Sequence, residues 1–215
     1  MQIDIITLFP EIFSSIFSAS IIKRATQKNL VSIDIVNLRN FGLGKHKQVD
    51  DKPYGGGVGM ILRVDVLEQA ITFVKKRGEA KHQYVILLDP TGKQFTQNIA
   101  RRLSRVNHLI FVCGHYEGVD KRVQKFVDER ISIGPYILTG GEMAAAVLTE
   151  TVVRLLPGVI PKPEATKEES FGKKFKLEYP QYTRPSMYKG LSVPKILLSG
   201  NHPKIQEWRR RKSSL

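Results

Sequence analysis

Residues 109–120, LIFVCGHYEGVD, run from an apolar segment directly into a glycine-rich turn. The apolar part, Leu109–Val112, has the length and composition of a buried β-strand. The residues that follow, Val119–Asp128, have the spacing of apolar side chains that indicates a helix. A strand that enters a helix through such a turn is typical of α/β proteins, and this stretch therefore predicts the fold class.

The same alternation extends in both directions along the chain. Further strands are predicted at Gln2–Phe9, Val31–Val36, Tyr84–Leu88 and Arg130–Ile133. Helices are predicted from Pro10 to Ile22 and at Val64–Lys76, Gln97–Ser104 and Gly140–Leu156, the last ending before Pro157. Short apolar strands separated by helices favour a parallel sheet with crossover helices.

Glycine-rich segments follow two successive predicted strands, at residues 114–120 and 132–142. Open α/β sheets bind their ligands at the carboxyl ends of the strands, and glycine permits a close approach of the main chain. The two segments therefore predict a shared pocket. A third segment, DDKPYGGGVGM at residues 50–60, matches neither a Walker loop nor the G-x-G-x-x-G fingerprint.

The charge of the chain indicates a polyanionic partner. The formal net charge is +14, and residues 161–215 contain 13 Lys and Arg against 5 Asp and Glu, a balance of 13 − 5 = +8. Such a field attracts nucleic acid, although an anionic membrane or a solubility tail would also account for it. The lack of a long apolar run and of a basic leader predicts a cytoplasmic protein that does not enter a membrane.

Composition divides the chain into three predicted parts: a domain at residues 1–160, an exposed linker at 161–173 and a small, basic, helical domain at 174–215. The aromatic rings of Tyr179, Tyr182 and Trp208 either pack this last domain or stack on bases. The single cysteine, Cys113, excludes an internal disulfide and is expected to be a buried, inert thiol. The five histidines show no metal-ligand spacing, so no metal ligand is predicted.

Several motifs, in their order and spacing, resemble the bacterial tRNA (guanine-N1)-methyltransferases of the SPOUT superfamily. They are the segments at 50–60, 113–122 and 132–142, RLLPGV at 154–159, YPQYTRP at 179–185 and LLSGNH at 197–202. The similarity begins at LFPE, residues 8–11, and covers nearly the whole chain. Two departures from the family are Pro135, which replaces an acid, and a shortened C-terminal domain.

The resemblance implies a parallel sheet with a C-terminal deep trefoil knot, a homodimer with active sites shared between subunits, and S-adenosylmethionine as the methyl donor. It assigns the donor to loop residues around the knot: Leu88, Asp89, Pro90, Gly114, Tyr116, Glu117, Gly118, Ile133, Gly134, Tyr136, Leu138, Gly140 and Gly141. Magnesium (Mg2+) dependence is a further trait of the family, although no residue here marks a site.

The resemblance also implies the reaction, which is methylation of N1 of guanosine 37 in tRNA, just 3′ of the anticodon. Neutral N1 carries a proton and is a poor nucleophile, so a base and a cation near O6 are needed. Arg154 is assigned to O6, and Glu169 is assigned as the base because Glu169-Ser170-Phe171 stands where the family has Asp-Ser-Phe. The residues expected to bind the RNA are Asp50, Gly57, Gly59, Ser170 and Arg184.

Glu169 carries one methylene more than aspartate, so its carboxylate must fold back to reach the same point. Three interpretations remain open: Glu169 is a working base, the enzyme is slow, or the base has been lost. The last corresponds to a catalytically weakened or inactive RNA-binding homologue. A SPOUT methyltransferase that acts on ribose or ribosomal RNA is a further alternative.

Overall fold

The computed structural model describes residues 1–78, 82–161, 169–171 and 177–213. The chain divides into two compact units, Met1–Ile160 and Pro161–Leu215. The first unit is built on a five-stranded parallel sheet with helices on its faces, which confirms the predicted α/β class.

The strands of the first unit are β1 (Gln2–Thr7), β2 (Ser32–Asn37), β3 (Asp50–Asp51), β4 (Ile61–Leu62), β5 (Gln83–Gln94), β6 (His108–Cys113) and β7 (Glu129–Ser132). Its helices are α1 (Ile12–Phe17), α2 (Ser20–Gln27), α3 (Val64–Arg77), α4 (Gln97–Leu103) and α5 (Glu142–Val153). Short 3₁₀ helices occur at Leu38–Phe41 and Lys121–Lys125. The central sheet has the order β2-β1-β6-β5-β7 and β3 pairs antiparallel with β4.

The core lies on both faces of the central sheet because successive strand residues point to opposite sides. Ile5 and Phe111 pack with α1, α2, α4 and α5 on one face. Their neighbours Ile6 and Val112 pack on the other face with Leu67 of α3. The strands are apolar on both sides for this reason, and their carboxyl ends are left free to carry loops.

Two sequence predictions are wrong in detail. The helix expected from Pro10 to Ile22 is two helices, because Ser20 at the start of α2 has a φ of 51°, which a continuous right-handed helix excludes. The helix expected at Val119–Asp128 is reduced to the 3₁₀ turn Lys121–Lys125. The preceding chain is held to β4 instead: the Leu62 amide donates to the Gly118 carbonyl, and the Asp120 amide donates to the Leu62 carbonyl.

The second unit contains β8 (Met187–Tyr188), β9 (Leu191–Ser192), α6 (Lys195–Leu198) and α7 (His202–Lys212). The β8–β9 hairpin was not predicted for this helical domain. Its turn residues Lys189 and Gly190 have φ values of 47° and 82°, as a two-residue type I′ turn requires. The predicted linker at 161–173 falls mostly outside the described residues.

The aromatic side chains of the second unit contact other residues of the same unit. The Tyr182 and Trp208 rings lie 6.4 Å apart, centroid to centroid, and the Arg209 guanidinium stands 4.8 Å from the centroid of Tyr179. Cation–π and ring contacts of this kind stabilise a small unit with few apolar residues. None of the helices in the described part of the chain has the length and apolar character that crossing a bilayer requires.

Candidate active site

A cavity of about 520 Å³ lies at the carboxyl ends of β5, β6 and β7. Three chain segments line it: residues 87–91 within β5 and the glycine-rich segments after β6 and β7, and the glycine pattern predicted the last two to share a pocket. Every residue that the resemblance assigns to the methyl donor belongs to this lining, from Leu88 in β5 to Gly141 before α5. The structure therefore brings these residues together, although they span more than 50 positions in the sequence.

The irregular part of β5, between Leu88 and Lys93, is ordered by Asp89. One carboxylate oxygen accepts hydrogen bonds of 2.8 Å from both the amide and the hydroxyl of Thr91, and the other lies 3.3 Å from the Arg130 guanidinium. Burial acts to raise the pKa of Asp89, but the hydrogen bonds from Thr91 and Arg130 outweigh it and lower the pKa below its usual value. Asp89 is thus an anion in the lining, with Arg130 as its partner.

The segment after β6 holds its backbone in an unusual conformation. Tyr116 has a φ of 58° and Gly118 a φ of 118°, and the Gly118 amide donates to the His115 carbonyl over 3.0 Å. A non-glycine residue in the left-handed region is strained, and such residues concentrate at functional sites. The ring of Tyr116 packs edge-on against His115, with the two ring centroids 4.8 Å apart.

The segment after β7 turns sharply at Pro135. The Tyr136 amide donates to the Gly134 carbonyl over 3.0 Å, which closes a three-residue turn with Pro135 at its centre. The Ser132 hydroxyl also donates to the Gly134 carbonyl, over 3.0 Å. Proline in place of the family's acid is accommodated here because its fixed φ suits this position of the turn.

The same segment then returns to the end of β6. The Gly141 amide donates to the Gly114 carbonyl over 2.8 Å, and Gly140 pairs with His115 in an isolated antiparallel bridge. A Cβ on Gly141 would lie only 2.8 Å from the Cα of Cys113. The approach of the two backbones therefore requires glycine at position 141.

The glycine-rich segment at residues 50–60 lies beside the cavity. It is closed at its base by the β3–β4 pair, which contains Asp50, and the Glu117 amide donates to the Met60 carbonyl over 3.1 Å. Gly57 and Gly59 have φ values of 125° and 88°, and a Cβ on Gly59 would lie 2.5 Å from Cγ of Glu117. Asp50, Gly57 and Gly59 thus belong to a loop that is attached to the segment after β6.

The other predicted site residues are not among the residues that line the cavity. Arg154 follows the last residue of α5 and is half-buried, whereas the cavity contacts the first turn of that helix. Glu169, Ser170 and Arg184 belong to the second unit. There the Ser170 hydroxyl accepts a hydrogen bond of 2.9 Å from the Glu178 amide, and Arg184 is exposed.

The sequence analysis assigned no role to four polar residues: His115 and Arg130, which line the cavity, and the buried pair Thr7 and Glu142. Arg130 stands in a strand outside the glycine-rich segments, and Glu142, although it ends the segment 132–142, is the first residue of a helix. Cys113 was correctly predicted to be buried, and burial, followed by the charge of Glu142, raises the pKa of its thiol well above the usual value. Within the described ranges, no group of three His, Cys, Asp or Glu side chains could hold a metal ion.

A parallel sheet whose strand-end loops enclose a cavity of this size defines an α/β protein with a small-molecule site. The profile of one family, described as tRNA (Guanine-1)-methyltransferase TrmD, matches residues 1–215, and the chain belongs to this family.

Curated relatives named tRNA (guanine-N(1)-)-methyltransferase are half identical to the chain. The protein of Carboxydothermus hydrogenoformans is 50% identical over 216 residues, which cover 100% of this chain and 83% of the relative. Those of Caldanaerobacter subterraneus and Clostridium botulinum are each 50% identical over 213 residues, covering 99% of this chain and 87% of the relative. The sequence resemblance to this family is therefore confirmed.

Proposed function

We propose that the chain transfers a methyl group from S-adenosylmethionine to N1 of guanosine 37 in tRNA. The observation that carries the proposal is the cavity at the strand ends, which gathers all the residues assigned to the donor in a chain that belongs to the methyltransferase family.

The lining suits S-adenosylmethionine in size and chemistry. A volume of about 520 Å³ falls within the usual range for small-molecule sites. Leu88, Ile133 and Leu138 offer an apolar surface for adenine, and the Glu117 carboxylate brings negative charge that favours a sulfonium cation. S-adenosylmethionine, when bound, would supply an electrophilic methyl group, and the residues of the lining would orient that group toward the guanine.

Glu169 is proposed as the general base. Its carboxylate takes the proton from guanine N1, and the lone pair left on N1 forms the new bond to the methyl carbon as the carbon–sulfur bond breaks. Arg154 is proposed to stabilise the negative charge that develops on O6. Ser170, Arg184, Asp50, Gly57 and Gly59 are proposed to bind the anticodon loop around the guanine.

A homodimer is proposed because apolar side chains are exposed next to the cavity. Ile137 is 80% exposed, and Leu138, Met143 and Val147 are also exposed, the last two one turn apart on α5. Apolar patches of this kind mark interfaces. Arg154 lies about 18 Å along α5 from Glu142, and a second subunit packed on this helix would bring a further Arg154 toward the cavity.

A deep trefoil knot is proposed from the path of the chain around β5. The edge strand β7 pairs with β5, yet residues 133–141 return to Gly114 on the other side of β5. Residues 133–141 therefore cross over β5. The β5 strand itself continues beside β7 as far as Gln94. A chain that threaded through a loop here would depart from the ordinary rules of topology, and the family resemblance supports this proposal.

The second unit is proposed to bind tRNA phosphates. Its helix α7 carries Arg209, Arg210, Arg211 and Lys212 in the last turn, and salt-dependent affinity is expected from such contacts. Since the proposed substrate is tRNA, the proposed location is the cytoplasm. Dependence on magnesium stays a prediction without an assigned site.

The test is mass spectrometry of nucleosides after incubation of unmodified tRNA with the protein and S-adenosylmethionine. 1-Methylguanosine is expected, and it should disappear with a tRNA in which guanosine 37 is replaced by another nucleotide. Methylation on ribose or on a different base would contradict the proposal. The absence of both donor binding in calorimetry and methylated product would instead favour the weakened or inactive RNA-binding homologue, which the 50% identity to proteins named as methyltransferases does not favour.

A further inference from the structure

A buried carboxylate lies directly against the wall of the cavity. Glu142, the first residue of α5, is only 4% exposed, and its Oε1 accepts a hydrogen bond of 2.8 Å from the fully buried Thr7 hydroxyl. The Thr7 hydroxyl in turn accepts a hydrogen bond of 2.9 Å from the Phe9 amide. This chain of hydrogen bonds joins the carboxyl end of β1 to the first turn of α5, between residues 135 positions apart.

The second oxygen of the same carboxylate packs against Gly140, which also packs against the His115 ring. A Cβ on Gly140 would lie 2.3 Å from Oε2 of Glu142 and 2.6 Å from Nδ1 of His115. Gly140 and His115 both line the cavity and pair with each other across the antiparallel bridge. Glu142 and His115 therefore both pack against Gly140 and leave no room for a side chain at that position.

Burial of a carboxylate is unfavourable unless hydrogen bonds and nearby positive charge compensate for it. Thr7 provides the hydrogen bond to Oε1, and the first turn of α5 provides the positive end of the helix dipole. An apolar residue at position 142 would fill the same core without this requirement. Because burial of this carboxylate has an energetic cost, its presence indicates that Glu142 is needed for the geometry of the neighbouring turn.

We propose that Glu142 is a positioning residue, which, held by Thr7, fixes the Gly140–Gly141 turn and His115 and so sets the shape of the donor-binding wall. This inference rests on the proposed function, because the ligand of that wall is the methyl donor. Glu142 does not touch the reacting atoms, and its effect is exerted through Gly140, Gly141 and His115.

The experiment compares three variants of the whole protein. Thr7→Val replaces the hydroxyl with a methyl group of similar size, and Thr7→Ser restores the hydroxyl. The matched control is Thr149→Val, because Thr149 is also fully buried, lies on α5, and has no hydrogen-bond partner for its hydroxyl among the described residues. The measurements are the affinity for S-adenosylmethionine by calorimetry, the KM for tRNA, and the amide hydrogen exchange of Gly141, whose N–H donates to the Gly114 carbonyl.

Thr7→Val is expected to weaken donor binding about threefold to tenfold, the effect of losing one buried hydrogen bond. It should also accelerate exchange at Gly141 and leave the KM for tRNA unchanged. Thr7→Ser should restore both the affinity and the exchange rate, and Thr149→Val should behave as the wild type. A general loss of stability would instead accelerate exchange at amides throughout the first unit, and not at Gly141 alone.

The inference is overturned if Thr7→Val leaves exchange at Gly141 unchanged, or if Thr149→Val has the same effects as Thr7→Val. A wild-type protein that binds no S-adenosylmethionine would refute the proposed function. Even if the wild type bound no donor, the amide exchange rate of Gly141 in the Thr7→Val variant would still decide whether Glu142 positions the turn.

Discussion

Substitution of Gly140 by alanine tests the packing behind the cavity most directly. The new Cβ would lie 2.3 Å from Oε2 of Glu142 and 2.6 Å from Nδ1 of His115, far inside normal contact distances. Glu142 is held by Thr7 and cannot move without losing that hydrogen bond. Overpacking of a core costs about 1–3 kcal/mol, and loss of one hydrogen bond adds about 1 kcal/mol. The free energy of unfolding should therefore fall by about 2–4 kcal/mol.

The matched control is Gly114→Ala in the same lining. A Cβ on Gly114 would lie 3.5 Å from the Leu88 carbonyl oxygen and 3.7 Å from Cγ1 of Val119, which are ordinary contacts. Urea unfolding followed by circular dichroism gives the free energy for both variants. If Gly140→Ala differs from Gly114→Ala by less than about 0.5 kcal/mol, the range of unremarkable substitutions, the reasoning is wrong. Calorimetry should in addition detect weaker binding of S-adenosylmethionine by Gly140→Ala.

Three further predictions concern the base, the dimer and the buried thiol. Glu169→Gln should lower the single-turnover rate of methyl transfer by about 10²–10⁴-fold, which is the usual contribution of a general base. Glu169→Asp should retain or raise this rate. Equal rates for the wild type and Glu169→Gln would exclude Glu169 as the base. Val147→Glu should have the mass of a monomer in light scattering. The control Phe73→Glu changes a comparably exposed apolar residue on α3 and should keep the mass of a dimer. A Val147→Glu variant that is still dimeric would argue against α5 as the interface. Burial, followed by the charge of Glu142, raises the pKa of the Cys113 thiol. The thiol should therefore resist iodoacetamide at pH 8, as measured by the mass of the intact protein. Modification of the folded protein would contradict the assignment of Cys113 as a buried, unreactive thiol.

Local patterns predicted the sheet well. The runs around Ile86 and Phe111 are apolar and short, which identifies strands buried on both faces. Glycines at 114, 118, 140 and 141 correctly indicated where the backbone must turn or approach closely, and their position after strands indicated the cavity. These features depend on residues within a few positions of each other, so the patterns that indicate them can be recognised in a single sequence.

Features that depend on distant residues could not be predicted in the same way. The helix expected at Val119–Asp128 does not form in full, because the backbone at its start is hydrogen-bonded to Leu62, which is far away in the sequence. The bond between Thr7 and Glu142 joins two ordinary positions, a strand end and a first helical turn, that become partners only when the sheet has formed. The assignments of Glu169 and Arg154 depend on the family resemblance and remain predictions.

The place of β1 within the sheet has a consequence for protein synthesis. β1 lies between β2 and β6, and β6 begins only at His108, about 100 residues after β1 has left the ribosome. At the usual rates of translation, about 5–20 residues per second, one edge of this apolar strand stays unpaired for roughly 5–20 s. During that interval the nascent chain presents a strand edge to which other chains can add. Newly made protein, more than the finished molecule, is therefore the form that is exposed to aggregation.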